Sequence, residues 1–135
     1  TGRPLSTHLR ASREAVLAAA ESAYVAMGIP IGTRDPANGQ VGNRAFQPGR
    51  RLNGLPVTRF FYCGNAGLGA EITDTHRLQV FVLSTVTAEG PGSRLETSAQ
   101  ALARQIGTSG PPVTCGSSGQ LEKEIATRVT RAVGG

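Results

Sequence analysis

Residues 77–86, with the sequence RLQVFVLSTV, constrain the fold more than any other stretch of the chain. The stretch contains no glycine or proline, and its β-branched and aromatic residues favour extended backbone. In an extended chain, alternate side chains point to opposite faces. Four apolar residues fall on one face and two on the other: Leu78, Val80, Val82 and Val86, then Phe81 and Leu83. Apolar residues on both faces predict an interior strand that is covered on each side at its middle.

Shorter strands are predicted on the N-terminal side of this stretch, at residues 29–34, 40–47 and 57–63. Pro30 cannot donate a hydrogen bond to a neighbouring strand, so the first of them is expected at a sheet edge or at a bulge. The dipeptide Asn38-Gly39 predicts a hairpin between the first two, because Asn-Gly favours tight turns.

The stretch 95–106 fits two patterns. Its apolar residues alternate as in a strand, and some of them also keep helical spacing. A strand through about Ala101 is favoured, because the preceding Gly-Pro-Gly turn at residues 90–92 is well suited to a hairpin with the central strand. A helix is the alternative. Residues 108–119 are rich in proline, glycine and serine and predict a loop.

Amphipathic helices are predicted at the two ends of the chain. The first spans residues 6–27 and ends at Gly28, because glycine adopts the left-handed conformation after a helix without strain. The second spans about residues 118–133, with apolar residues four apart on one stripe. Ser117 and Gln120 have the spacing of a capping box at its start.

The order of elements predicts one α+β domain at residues 6–135, after a tail at residues 1–5. We expect a two-layer sandwich, with an antiparallel sheet of four or five strands and the N-terminal and C-terminal helices packed on one face. No apolar run approaches the ~20 residues that cross a bilayer. The sequence starts at Thr1 without a charged-then-apolar leader, so we expect any targeting segment or membrane anchor to be removed or absent.

Cys63 and Cys115 are the only cysteines. Two cysteines that are far apart in sequence, each next to a glycine, favour one structural disulfide; two free thiols in a cytoplasmic protein are the alternative. Disulfides persist in oxidising compartments, so the pair predicts a periplasmic or extracellular location. A bacterial source is indicated because thirteen of the fourteen basic residues are arginine and because alanine and glycine are abundant.

The opening of the chain combines a helix ending in Met27-Gly28-Ile29, a short strand, and Asp35 leading through Asn38-Gly39 into Val41-Gly42. This order resembles the helix-grip or TBP-like domains of bacterial outer-membrane lipoproteins of the BamC kind. The resemblance covers most of the chain in element order, without a specific residue motif. BamC-type proteins carry two such domains and a lipidated N-terminal cysteine, whereas this sequence holds one and no such cysteine. The resemblance implies a non-enzymatic assembly or scaffold module.

A basic and aromatic segment is the candidate binding region. Residues 1–59 carry a net charge of +5 and residues 60–135 carry none. The candidate partner-binding residues are Arg44, Arg50, Arg51, Arg59, Phe60 and Tyr62. If they form a site, we expect the four arginines to be exposed and within about 15 Å of one another. Phe60 and Tyr62 are then expected on the sheet face that points away from the helices.

The partner expected for this region is an acidic protein or another anionic surface, such as a glycan or a lipid headgroup. Arginines beside aromatic residues also suit single-stranded nucleic acid. Nucleic acid is not favoured, because the sequence lacks an RRM signature and because a disulfide is unusual in such proteins. The structural interpretation, with the arginines on a solvated hairpin and the phenylalanines in the core, is favoured over both kinds of partner.

Catalytic and cofactor patterns are weak. The glycine-rich stretch at residues 64–69 has neither the order of a dinucleotide-binding motif nor a Gly-Lys-Ser/Thr ending. His8 and His76 lack the spacing of metal ligands. Cys63 and His76 could act as a nucleophile pair, but a cysteine in a disulfide cannot do so. We therefore expect no cofactor, metal or catalytic residue.

These observations favour a non-enzymatic, extracytoplasmic interaction or scaffold domain of a bacterial envelope assembly, associated with the outer membrane. One alternative is a carrier that encloses a small ligand between the helices and the sheet. Another is an enzyme that depends on Cys63. Ala19, Ala20 and Ala23 allow the first helix to pack closely, so we expect no large apolar cavity beneath it.

Overall fold

The computed structural model describes residues 4–48, 51–63, 76–107 and 110–134, apart from the side chain of Thr58. In chain order the elements are β1 (Leu5–Leu9), α1 (Arg13–Ala26), β2 (Thr33–Asp35), β3 (Gln40–Phe46), β4 (Arg51–Leu52), β5 (Leu55–Pro56), β6 (Phe61–Tyr62), β7 (His76–Glu89), β8 (Gly92–Gln105), β9 (Val113–Ser117) and α2 (Gln120–Val133). Short 3-10 helices span Pro36–Asn38 and Val57–Arg59.

The fold is α+β, as predicted, but its antiparallel sheet has seven strands rather than four or five. The strand order is β2-β3-β7-β8-β9-β6, and β1 pairs with β8 outside this path. β1 pairs with Ser93–Thr97 of β8, and β9 pairs with Ala101–Ala103. The two short strands therefore share the outer edge of β8. β4 and β5 form a separate hairpin.

The β7–β8 hairpin is the centre of the sheet. Its strands have 14 residues each and pair from His76 with Gln105 to Glu89 with Gly92. The turn consists of Gly90 and Pro91, and Gly90 has the positive φ of 58° that suits glycine. The prediction of a central strand at residues 77–86 is confirmed. The strand prediction for residues 95–106 is also confirmed, and the helical alternative is wrong.

One face of this hairpin, the helix face, forms the core with both helices. Its buried side chains alternate along both strands: Leu78, Val80, Val82, Ser84 and Val86 of β7, and Ser93, Leu95, Thr97, Ala99, Ala101 and Ala103 of β8. Helix α1 buries Val16, three alanines and Tyr24 against it. Helix α2 contributes Leu121, Ile125 and Val129. The small side chains of α1 allow the close packing that the sequence predicts.

The predicted start of the first helix is wrong, because the chain enters the fold through a strand. Leu5, which we assigned to the tail, pairs with Thr97, and Leu9 is buried in the core. The helix begins only at Arg13, after Ser12 accepts a hydrogen bond from the Ala15 N–H at 3.2 Å. Ser6 and Thr7 of β1 are residue types that favour N-cap positions, so the sequence prediction began the helix at residue 6, one strand too early.

The predicted end of this helix is confirmed. Gly28 has a φ of 77°, and its N–H donates to the Val25 carbonyl at 3.1 Å. The Ile29 N–H donates to the Tyr24 carbonyl at 2.9 Å. These two bonds form a Schellman motif, which satisfies the last carbonyls of the helix.

The β2–β3 hairpin is confirmed, with β2 at the sheet edge. Gly39 has a φ of 66°, and its carbonyl accepts the Val86 N–H at 2.7 Å. A Cβ at Gly39 would lie 2.3 Å from the Val86 carbonyl oxygen, so glycine is required there for space as well as for conformation.

Other predictions for local structure are wrong. Residues 57–63 form a 3-10 turn and the two-residue strand β6 instead of one long strand, and the predicted loop at 108–119 contains β9. The capping box is also wrong, because Gly119 is the N-cap of α2. Ser117 instead donates to the carboxylate of Glu122 at 2.7 Å. Among the described residues, neither helix is long and apolar enough to cross a membrane.

Candidate interaction surface

The sheet face opposite the helices is the candidate functional surface, and we name it the open face. In β7 and β8 it consists of the residues that alternate with the core. Its half-buried residues are Gln79, Phe81, Leu83, Thr85, Glu96, Ser98, Gln100 and Leu102. The sequence predicted cover on both sides of β7. Phe81 and Leu83 are only half-buried, so cover by the described residues is complete on the helix face alone.

Apolar side chains occupy the middle of the open face. Phe81, Leu83 and Leu102 lie on adjacent strands, and each keeps part of its surface accessible. Tyr62 is 70% exposed on β6, opposite Gly116. Tyr62 lies on this face because the neighbouring pair, Phe61 and Ser117, faces the helices. The surface thus presents an aromatic ring and aliphatic groups to solvent.

The predicted companion of Tyr62 lies elsewhere. Phe60 is 1% exposed and packs in the core, so the prediction that it lies on the open face is wrong. The 3-10 turn at Val57–Arg59 breaks the alternation on which that prediction relied. As a result, Phe60 and Phe61 are consecutive and both buried.

One end of the open face carries three arginines, and we name it the basic end: Arg44, Arg77 and Arg104. Arg77 and Arg104 are directly opposite each other on β7 and β8. Arg44 lies in β3, near a bulge between Asn43 and Phe46. All three side chains are exposed. Among the described residues, no carboxylate lies within ion-pair distance of any of them.

Two neighbouring depressions, which share Gln79 in their lining, mark the basic end. A cavity of about 620 Å³ is lined mainly by Gln47, Arg77, Gln79, Arg104, Gln105 and Ile106. A smaller cavity of about 130 Å³ is lined mainly by Arg44, Gln79, Phe81, Gln100 and Leu102. Gln79 borders both, so the two depressions adjoin and lead from the arginine pair to the apolar middle of the face.

The opposite end of the open face, near the Gly90-Pro91 turn, has paired charges, and we name it the paired end. Arg94 contacts the carboxylate of Glu89 and lies 3.6 Å from that of Glu96. His8 Nδ1 lies 3.2 Å from the second oxygen of Glu89. The two ends of one sheet face thus differ in whether their arginines have carboxylate partners.

The described arginines of the predicted set lie on separate elements. Arg44 lies on β3 and Arg59 precedes β6, and these strands are four positions apart in the sheet, or about 19 Å at the usual strand spacing. Arg51 lies on the β4–β5 hairpin, where it donates to the Gly54 carbonyl at 3.2 Å. Arg50 lies outside the described residues.

Arg77 and Arg104 are the residues that our sequence reasoning missed. A two-residue turn at Gly90-Pro91 fixes the register of the hairpin. Counting equally back from that turn places Arg77 opposite Arg104. The signal was therefore present in the sequence, but it required the strand assignment of residues 95–106 to extend past Ala101.

The cysteine pair forms the predicted disulfide. The sulfurs of Cys63 and Cys115 are 2.00 Å apart, and both residues are buried. The bond joins the residue after β6 to β9. In this state Cys63 has no thiolate to act as a nucleophile. Within the described residues, no group of three His, Cys, Asp or Glu side chains could hold a metal ion. The glycine-rich stretch at 64–69 lies outside them.

Buried polar groups tie α1 to the sheet. The Tyr24 hydroxyl is 2.8 Å from the Ser84 hydroxyl, which is 2.8 Å from that of Thr97. Burial raises the pKa of Tyr24 above its ordinary value, because the ionised phenolate would lose its hydration. All three groups have partners and are closed to solvent, so this network stabilises the fold rather than offering a site.

A smaller group stabilises the β2–β3 turn. The side-chain amide of Asn38 donates to Asp35 at 2.7 Å, and its backbone N–H donates at 3.3 Å. These hydrogen bonds lower the pKa of the Asp35 carboxyl. The interaction explains why the sequence Asp-Pro-Ala-Asn-Gly forms the turn at this sheet edge.

Comparison with known proteins adds no family to these observations. No protein-family model matches the chain. No curated protein matches its sequence either. The open face and its arginines are therefore interpreted from their own geometry and charge.

Proposed function

We propose that this chain is a non-enzymatic interaction domain that binds a protein partner through the open face of its sheet. The observation that carries the proposal is the accessible apolar middle of that face, formed by Phe81, Leu83 and Leu102 with the exposed Tyr62. Apolar groups flanked by polar residues are typical of protein interfaces. Tyrosine and arginine are enriched in such interfaces.

The proposed setting is a bacterial envelope assembly on the periplasmic or extracellular side, associated with the outer membrane. The disulfide supports an oxidising compartment. The order of elements that resembles BamC-type domains supports a scaffold role. Thiol labelling of unreduced, unfolded protein from its native source tests the compartment. We expect no labelled cysteine, and two labelled thiols would contradict the extracytoplasmic location.

The carrier alternative has less support. The helix face is filled by core side chains, among them Tyr24, Leu95 and Ile125. The cavities of about 620 and 130 Å³ lie on the open face, and another of about 550 Å³ lies between Leu5 and the start of α2. The first two lie on the face away from the helices, and the third lies at the sheet edge beside β1, outside the packed core where a carrier of this architecture would hold its ligand.

The experiment that tests the proposal compares two exposed apolar positions. Leu83→Asp and Tyr62→Asp alter the open face, whereas Val25→Asp alters α1, where Val25 is 68% exposed. Complexes are cross-linked in cells that make the protein and isolated with each variant. We expect a specific partner protein to be lost from both open-face variants and retained by the α1 control.

Folding must be checked in the same experiment, because Leu83 is half-buried. Tyr62 is mostly exposed, so Tyr62→Asp should keep the thermal unfolding midpoint of the wild type. Equal partner recovery with wild type and with a folded Tyr62→Asp variant would contradict the proposal. Loss of the partner only with Val25→Asp would move the interface to the helices.

A further inference from the structure

We infer that the basic end of the open face binds an extended acidic segment of the protein partner. This inference rests on the proposed function and adds the chemistry of the segment that is recognised. It is carried by three features of the described residues: an opposed arginine pair, the two depressions beside it, and the paired charges at the other end of the same face.

Among the described residues, the arginine pair has no compensating charge. Arg77 and Arg104 are directly opposite on adjacent antiparallel strands. Like charges in this arrangement repel and destabilise the sheet. No described carboxylate compensates them, although Arg94 on the same strand as Arg104 contacts both Glu89 and Glu96. An anionic ligand would remove the repulsion, so the pair favours binding over isolated stability.

The groups around the pair favour carboxylates on a peptide. Guanidinium groups bind carboxylates through two parallel hydrogen bonds. Gln79 lines the same cavity and provides an amide that can bond to a peptide backbone. Further along, Phe81 and Leu102 line the smaller cavity with Arg44. The site therefore combines charge, hydrogen-bonding groups and an apolar surface.

The spacing of these groups defines the segment. Phe81 lies four residues from Arg77 on β7, which is about 14 Å along a strand. An extended peptide of about five residues spans that distance. The segment thus has acidic side chains at one end, over Arg77 and Arg104, and an apolar side chain at the other, over Phe81 and Leu102.

The charge distribution favours a protein segment over an anionic membrane. Glu89 and Glu96 lie on the same face at the paired end. A flat anionic bilayer laid on the face would meet these carboxylates as well as the arginines. A short segment confined to the basic end meets only the arginines. At physiological salt the Debye length is about 8 Å, so salt screens the distant carboxylates from such a segment.

Selection from a random peptide library displayed on phage tests the inference. The targets are the wild-type protein, the R77E/R104E variant, and a matched control, R10E/R131E, whose substituted arginines are exposed outside the β7–β8 hairpin. We expect wild type and control to enrich peptides in which Asp or Glu precedes or follows an apolar residue by three or four positions. The R77E/R104E variant should not enrich them.

Binding of a selected acidic peptide is then measured by fluorescence anisotropy. The R77E/R104E variant should bind at least about tenfold more weakly than the wild type. Each exposed ion pair contributes modestly, and charge reversal adds repulsion. The control should bind as the wild type does, and added salt should weaken wild-type binding. Equal affinity of the two reversal variants would overturn the inference.

The remaining outcomes separate the two proposals. Enriched peptides without acidic residues, whose binding is lost in Tyr62→Asp, would overturn the acidic segment and leave the open face as the docking surface. Peptides that bind equally well to Tyr62→Asp and R77E/R104E would contradict both. Binding to phosphatidylglycerol vesicles, but not to phosphatidylcholine vesicles, that is lost in R77E/R104E would overturn the peptide in favour of a lipid surface.

Discussion

The two faces of the β7–β8 hairpin come from alternating residues of the same two strands, yet they differ in burial and in the pairing of their polar groups. On the helix face, Val80 and Val82 are fully buried, and the polar Ser84 and Thr97 bond to each other. On the open face, Phe81 is half-buried, and Arg77 and Arg104 oppose each other without a described carboxylate partner. The helix face therefore supplies most of the packing, whereas the open face leaves apolar groups partly accessible and two arginines without a carboxylate partner among the described residues.

Loss of the disulfide should lower the free energy of unfolding more than any other change considered. The bond holds the β6–β9 edge of the sheet, which contributes residues to both faces. Phe61 of β6 enters the core and Tyr62 enters the open face. The C63S/C115S variant should unfold with a free energy lower by about 4 kcal/mol, as expected for a bond that closes 52 positions. Urea unfolding measures this change. A loss below about 1 kcal/mol would show that packing alone holds the edge.

Adjacent alanine substitutions compare the two faces directly. Val82→Ala removes a fully buried side chain and should lower the free energy of unfolding by about 2–3 kcal/mol. Leu83→Ala removes more atoms, but from a half-buried position, and should cost about 1 kcal/mol. Urea titrations of both variants provide the measurement. Equal losses would mean that the open face is as tightly packed as the core.

The polar network on the helix face gives a smaller, pH-dependent effect. In the unfolded chain Tyr24 releases its proton near pH 10, whereas in the fold its raised pKa keeps the proton bound. The folded state then holds more protons, so this contribution to stability is present below pH 10 and is lost as the pH rises above it. The wild type should therefore lose stability steeply in alkaline solution.

Tyr24→Phe tests whether ionisation of Tyr24 causes the loss of stability at alkaline pH. At neutral pH it should cost about 1 kcal/mol, because the hydroxyl loses its bond to Ser84. Above pH 10 its stability should fall less steeply than that of the wild type. Tyr62→Phe is the matched control at an exposed position, since Tyr62 is 70% exposed. An unchanged slope in Tyr24→Phe would contradict a role for Tyr24 ionisation.

The smallest expected effect is a gain in stability, whereas the preceding substitutions reduce it. R104E places a carboxylate opposite Arg77 and should raise the free energy of unfolding by about 0.5 kcal/mol, because repulsion becomes attraction across the strands. The same change should weaken binding of an acidic peptide. Thermal unfolding and anisotropy measure the two effects, with R10E as the control. Unchanged or lower stability in R104E would show that the arginines do not repel in the free protein.

Local signals predicted the elements whose ends are set by neighbouring residues. Gly28 and Asn38-Gly39 mark conformations that glycine favours, and the unbroken stretch at 77–86 permits little other than a strand. The prediction failed where distant contacts decide. β1 and β9 are short, and their strand structure depends on pairing with the edge of β8 and, for β9, also with β6.

The site was predicted in outline only. A sheet with helices on one side implies an open second face, and Tyr62 lies on it as expected. Phe60 does not, because the 3-10 turn before it directs two successive phenylalanines into the core. The arginine pair depended on the full length of β8, which could not be fixed while residues 95–106 fitted both a strand and a helix.

Site-specific photo-crosslinking tests the central claim, that the open face is the interaction surface, most directly. A photoreactive phenylalanine analogue is introduced in separate variants at Leu83, Leu102 and Tyr62 of the open face, and at Val25 of α1, and irradiated in cells that make the protein. We predict that the three open-face positions form covalent adducts with one common protein and that position 25 does not. Adducts at position 25 with none at the other three would contradict the account.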